Sequence, residues 1–471
     1  MAAASENERA SGRRHEWPSN AQVHVPTLGA CTVPSPLPPH REPFVDERDR
    51  VLLCQTSLEI APFLETGKEI PSFERAGARR KNFFDPQRLT CGIVTCGGLC
   101  PGLNNVVRAI VLSLTYAYGV ERILGFRYGY EGIAAASRHE PILLTPQAVD
   151  TQHEQGGTFL GSSRGPQDVA GMVDTLERLG VGILFVLGGD GGLRGAGTIQ
   201  AEIARRGQPI AVIGVPKTID NDLQWTWRSF GFSTAVDAAR TVIQAAHTEA
   251  RASWNGVGLV KLMGRHSGFI AAHATLANND VNFCLVPEVP LVLEGEHGFL
   301  PDLERRLAEK HHAVVVVAEG TGQELARHGK PTELDRSGNV KLHDIGLFLR
   351  DEMARYFAAR RQDVVIRYID PSYVIRSMPA NPMDAQYCLT LGQHAVHAGM
   401  AGRTNMVVSA WSNRFVHVPI PLAIEGRRCL DPSGEEWQRV LESTGQMSIP
   451  REDLSPRPIG QSPTGPHSPA R

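Results

Sequence analysis

Between residue 90 and residue 411 the chain repeats one pattern: a short unbroken apolar run, then Gly or Asp, then a stretch with apolar residues at helical spacing. The runs are GIVTC (92–96), GILFVL (182–187), AVIGV (211–215), VGLV (257–260), FCLV (283–286), AVVVVA (313–318) and NMVVSAW (405–411). Runs this short, apolar at successive rather than alternate positions, suit parallel strands buried on both faces. NNVVRAIVLSLTYAY (104–118) and STAVDAARTVIQAA (233–246) carry their apolar residues three and four apart and predict amphipathic helices. Strand, Gly-rich turn and helix in repetition predict a doubly wound, Rossmann-like α/β fold with mainly parallel sheets, whose ligands sit beyond the carboxyl ends of the strands. No repeat of 20–50 residues is present that would point to a solenoid.

Length refines this picture, because 471 residues exceed what one core supports and predict two α/β domains with the active site in the cleft between them. Residues 1–45 and 450–471 are rich in Pro, Ser, Arg and Glu and are expected as mobile tails, with little apolar surface to offset the entropy of ordering. A formal charge of −2 provides no broad field for nucleic acid or an anionic membrane, so any phosphate must be held by a few placed cations and amides. Eight cysteines form no CxxC pair, which argues against a zinc site or a disulfide frame and for reduced thiols in the cytoplasm. No apolar stretch reaches membrane-spanning length, and the first residues, MAAASENERASGRRHEW, lack the apolar segment of a signal peptide.

Three stretches carry candidate chemistry. In TCGGLCPGLNNVVRAIV (95–111) a strand ends at Gly97-Gly98 before a helix, a geometry that lets backbone N–H groups approach a phosphate; a ligand-free tight turn accounts for it equally well. In FVLGGDGGLRGA (185–196) an apolar strand delivers Asp190 among Gly188, Gly189, Gly191 and Gly192, one carboxylate among residues too small to obstruct a nucleotide. Asp190 suits Mg²⁺, a hard cation that takes one or two protein carboxylates; its bland reading is a helix cap. In GVPKTIDNDL (214–223), Asp220 and Asp222 lie two apart, and in extended chain both would face one cleft. A phosphoryl-accepting hydroxyl needs a base, and neighbouring anions raise a carboxylate's pKa toward that task.

In order and spacing, GGLCPGLNNVVR (97–108), GGTFLGSSRGP (156–166), GGDGG (188–192), PKTIDND (216–222), KLMGRHSGFIA (261–271), VPE (286–288), AEG (318–320) and YVIR (373–376) resemble the 6-phosphofructokinases, in particular the plant-type and pyrophosphate-using branch. GGDG alone also occurs in NAD kinases and lipid kinases; eight motifs in order do not. The resemblance implies transfer of the γ-phosphoryl of ATP, with Mg²⁺ as cofactor, to the 1-hydroxyl of fructose 6-phosphate in glycolysis. It places Gly97, Arg164, Gly165, Gly189, Asp190, Gly191 and Gly192 on the nucleotide, with Asp190 on the metal. Thr218, Ile219, Asp220, Met263, Gly264, Arg265, Glu319, Tyr373, Val374, Ile375 and Arg376 fall on the sugar phosphate. Asp220 is the proton acceptor, Asp222 a second acid near the metal, and Lys217 a catalytic cation.

The implied division is an N-terminal extension (46–89), a nucleotide domain (90–231, completed by 378–410), a sugar-phosphate domain (232–377) and a C-terminal extension (411–449), assembled as a homodimer or homotetramer. Pyrophosphate-using relatives carry Asp where Gly191 stands, filling the α-phosphate space, so Gly191 favours ATP; Lys217 occurs with either donor. Departures from the family pattern are Gly192 in place of Thr or Ser, Gly256 where many bacterial members present an arginine across a subunit interface, and NPMDAQY (381–387), which lacks their phosphate-binding Arg. The rival readings are a pyrophosphate-dependent phosphotransferase and a silent regulatory subunit.

Overall fold

The computed structural model describes residues 17–38, 44–163, 165, 167–327, 333–334 and 340–446. All seven apolar runs are strands, and they divide between two sheets. In the larger, Met406–Trp411, Ala211–Pro216, Val181–Gly188, Thr90–Thr95 and Arg122–Phe126 run parallel as neighbours in that order. Antiparallel strands flank them: Ile142–Leu143 on one edge, and Arg414–Pro419, Ser72–Arg75 and Arg50–Leu52 on the other, nine strands in all. The smaller sheet is wholly parallel, in the order Phe283–Leu285, His312–Ala318, Gly256–Leu262, Val365–Ile369.

Helices cover the sheets as the periodicity predicts. Leu103–Leu112 continues as a π-helical turn over Ser113–Tyr118, and Phe232–Arg251 spans the second predicted segment. One apolar cluster joins the halves, taking Phe185 and Ile213 from the large sheet, Ile243 from the helix Phe232–Arg251, and Val260 and Val316 from the small sheet. A cleft walled by two sheets that share a core has fixed walls, and side chains placed at its mouth hold their spacing.

The flanking segments depart from expectation. Residues 17–38, read as part of a tail, are packed: Val23, Val25 and Leu37 are buried, Val33–Pro34 pairs with Lys81–Asn82, and Leu28 N–H donates to Gly402 O. A Pro-rich segment can still dock when its few apolar residues point one way and another segment satisfies its backbone groups. The segment 46–89 and residues 411–446 of the expected C-terminal extension are likewise built in, supplying three strands of the large sheet and the helix Glu435–Thr444, which packs on Phe269–Leu276. Residues 450–471 lie outside the described residues.

Candidate active site

One wall of the cleft is built at the carboxyl ends of adjacent parallel strands. Thr90–Thr95 leads into Gly97, whose φ of +84° is left-handed backbone that suits glycine. Ser162 Oγ donates to Gly97 O at 2.6 Å and ties the loop bearing Gly165 over this turn; Arg164 of that loop lies outside the described residues. The neighbouring strand Val181–Gly188 ends at Gly189, the N-cap of helix Asp190–Arg205, with no side chain capping it. Its first-turn amides have no acceptor within the helix, which makes this terminus suited to an anion. A Cβ on Gly191 would meet nothing within 4 Å, so the space beside it is open. At Gly192 a Cβ would sit 3.1 Å from Cys96 Cβ, and Tyr130 OH donates to Gly192 O at 2.6 Å. The missing hydroxyl at this position thus coincides with the Cys96 side chain packed against it.

Ala211–Pro216 pairs in register with Val181–Gly188, which brings the Lys217–Asp222 turn beside Asp190. Lys217 Nζ donates to Gly98 O at 2.8 Å and joins this turn to the Gly97 turn. The turn is not the extended strand expected from its i, i+2 acids: Asn221 has φ +57°, and its Oδ1 accepts from Ser229 N–H at 2.9 Å. Asp220 and Asp222 therefore face different partners across one crevice. Asp222 Oδ1 accepts from Thr218 Oγ1 at 2.6 Å, and its Oδ2 meets the guanidinium of Arg427. The other arm of Arg427 lies 3.5 Å from Asp190 Oδ2, so the two acid-bearing turns do open into the same crevice. Asp220 turns to the second half, where the Arg265 amide donates to its carboxyl and Ser267 Oγ donates to its carbonyl at 3.1 Å. Its Oδ1 is enclosed with no hydrogen-bond partner. Burial first, then the nearby Asp222 and Glu319, push the Asp220 carboxyl up to about 8.

Two strands of the small sheet supply the opposite wall. Gly256–Leu262 runs into Met263-Gly264-Arg265, and Gly264 has φ +128° with Ser267 O where a Cβ would go. Arg265 Nε is enclosed and unpartnered. Glu319 follows His312–Ala318, its amide bonded to Leu262 O at 2.9 Å; burial raises its carboxyl, opposed by Arg376, Arg265 and Lys261. Arg376 ends the helix Ser372–Arg376 and stacks on Tyr373, 4.9 Å from the ring centre. Arg265, Glu319, Arg376 and Asp220 therefore share one field. The side chains of Ile219, Met263 and Ile375 are buried in the core and Val374 projects into solvent, so these four are not brought into the cleft by their side chains.

Four residues given no role in the sequence reading belong here. Arg427 has no motif around it, and only the adjacent arginines of GRRCL (426–430) hinted at it. Lys261 is bonded at 2.9 Å to both Asp344 and Asp370, fixing the segment before the Arg376 helix. Glu288, from VPE, accepts from Gly268 and Leu430 amides at 2.9 and 2.8 Å and pins the C-terminal segment across the second half. His266 is kept neutral, since burial, Arg427 and Arg265 bring it down to about 4.

Two Rossmann-like halves that deliver a glycine-lined helix terminus, paired acids and an enclosed carboxyl to one crevice define a phosphoryl-transfer fold and site. The phosphofructokinase family matches residues 90–399, and the chain belongs to that family. An ATP-dependent 6-phosphofructokinase of Amycolatopsis methanolica is 52% identical over 438 residues, 90% of this chain and 95% of its own. ATP-dependent 6-phosphofructokinase 7 of Arabidopsis thaliana is 45% identical over 378 residues, 80% of this chain and 77% of its own. The crystal structure of a pyrophosphate-dependent phosphofructokinase from Marinobacter aquaeolei superposes with a TM-score of 0.63 at 19% identity, over 78% of this chain and 95% of that one, a likeness of fold.

Proposed function

We propose that this chain is an ATP-dependent 6-phosphofructokinase, moving the γ-phosphoryl of MgATP to the 1-hydroxyl of fructose 6-phosphate. The observation that carries this is the meeting of Asp190, Asp222 and Asp220 at one crevice between a glycine-lined helix terminus and an arginine-bearing wall. The nucleotide lies over Gly97, Gly165 and the Gly189–Gly192 turn, and the open space beside Gly191 accommodates an α-phosphate. Arg164, outside the described residues, is given to the nucleotide by its motif alone. Asp190 would hold Mg²⁺, with Asp222 beside it. Two converging carboxylates, with no group of three or more ligating side chains among the described residues, fit a cation whose remaining ligands are phosphate oxygens and water. When bound, Mg²⁺ supplies charge neutralisation on the phosphates.

The protein's own groups do the rest. Arg265, Arg376 and Tyr373 hold the sugar phosphate, and Glu319 accepts from a sugar hydroxyl, which relieves a carboxylate that burial disfavours. The backbone of Thr218, Ile219, Met263 and Gly264, with that of Val374 and Ile375, shapes the sugar pocket. Asp220 takes the proton of the 1-hydroxyl; a carboxyl titrating near 8 is matched to that transfer at neutral pH. Lys217, fixed by Gly98 O, places its charge beside the transferring group.

Residues 90–231 completed by 378–410 form the nucleotide domain in this reading, and 232–377 the sugar domain. The enzyme acts in glycolysis as a cytoplasmic homodimer or homotetramer. Its eight free cysteines, six of them buried, suit a reducing compartment, and no helix among the described residues is long and apolar enough to cross a membrane. Purified protein assayed with ATP and with pyrophosphate tests the proposal. Fructose 1,6-bisphosphate should form with ATP, and activity with pyrophosphate alone, or with neither donor, overturns it.

A further inference from the structure

Arg427 lies beyond residues 90–399, the part of the chain that the family defines. Its main chain is fastened on both sides. Leu223 and Arg427 form an antiparallel bridge, Gln224 Nε2 donates to Arg427 O at 2.8 Å, and the Arg428 amide donates to Asp222 O at 2.9 Å. The Leu430 amide reaches Glu288 of the other half. The side chain is about one-third exposed, at 34%, so it can swing while its backbone stays anchored.

The guanidinium spans the two carboxylates that the proposed function gives to the metal side, one arm on Asp222 and the other 3.5 Å from Asp190. Asp190 is also paired with Arg194, one helical turn on, at 3.1 Å, so Arg427 is distinguished by joining both acids. Arginine keeps its charge at any pH the protein meets, so it cannot leave these acids by losing a proton. A divalent cation between Asp190 and Asp222 needs the same oxygens and would face the same positive charge at contact distance. One position cannot hold both.

We propose that Arg427 is the cation that bridges both acids of the donor site: without nucleotide it clamps Asp190 to Asp222 and excludes free divalent metal, so that metal enters only together with a polyphosphate. The proposal rests on the reading of Asp190 and Asp222 as the metal side and adds to it a competitor supplied by the C-terminal segment.

Manganese(II) alone is the probe. Its binding to the nucleotide-free full chain, followed by electron paramagnetic resonance of the free ion, is compared for wild type, Arg427→Gln and Arg427→Lys. Removing one positive charge at contact distance from a divalent ion should tighten binding by about tenfold or more in Arg427→Gln. Arg427→Lys should fall between, because an ammonium cannot fork across both acids. Adding Asp222→Asn to Arg427→Gln should abolish the gain. Arg427→Gln that keeps its thermal transition yet binds manganese no tighter than wild type overturns the proposal. If Arg427→Gln does not fold, Arg427→Lys no tighter than wild type overturns it instead. Because no nucleotide or sugar is present, failure here is separate from failure of the phosphotransfer reading, which the wild-type donor assay decides.

Discussion

Replacing Asp220 with Asn exchanges a carboxyl for a neutral group of the same shape, and two consequences can be worked from the site. The first is on stability. In the fold this carboxyl titrates near 8, against 3.8 in an unfolded chain, because burial and the charges of Asp222 and Glu319 oppose its ionisation. Below pH 3.8 both states hold the proton and nothing is lost. Between the two values the unfolded chain has released its proton while the native one keeps it, so stability falls as pH rises and levels off above 8. At about 1.4 kcal/mol per pH unit the ceiling is about 5–6 kcal/mol, and partial solvent contact of the residue reduces this to roughly 2–3 kcal/mol. Asn escapes the penalty. Asp220→Asn should therefore be more stable than wild type, with an advantage that grows from pH 5 to pH 8 in urea unfolding. The second consequence is on turnover, which should fall by about 10²–10⁴-fold with loss of the general base, while the acid limb of kcat/KM near pH 8 flattens. A variant turning over within tenfold of wild type, or one whose stability gain is the same at both pH values, would falsify this account of Asp220.

Other perturbations test the remaining parts of the cleft. Gly191→Asp places a carboxylate in open space, so the fold should be kept while ATP affinity drops by roughly tenfold or more; a rise in the ratio of pyrophosphate to ATP turnover is the readout. Gly264→Ala forces a side chain onto φ +128° and into Ser267 O, and should lower stability by about 2–3 kcal/mol, visible as a fall in Tm. Lys261→Met leaves Asp344 and Asp370 without their shared cation; KM for fructose 6-phosphate should rise by roughly tenfold with KM for ATP little changed, measured with each substrate varied in turn.

Particular residues show why some of the site was legible in the sequence. Asp190 stood out because four glycines around one acid on a strand end have few structural uses, and the strand register then carried it to the Lys217–Asp222 turn. Arg122–Phe126 and Val365–Ile369 do not stand out as strands in the sequence, since Gly125 in one and Arg367 in the other break the apolar run. The two acids share a crevice through a turn rather than through extended strand. Asn221 in left-handed backbone, not strand alternation, aims Asp220 and Asp222 at their separate partners. Ile375 and Met263 lie inside family motifs but pack in the core, because a motif records position along the chain and not the direction of a side chain.

The sequence by itself determined the layered α/β plan, the family and the acids of the cleft, because strand burial, glycine turns and motif order are local properties written in consecutive residues. Only the tertiary structure decided that residues 17–38 dock, that Arg427 bridges Asp190 and Asp222, and that Lys261 ties together Asp344 and Asp370. Each of those contacts joins residues tens to hundreds of positions apart. Such partners are chosen by where the folded sheets bring their ends together, which no local pattern encodes.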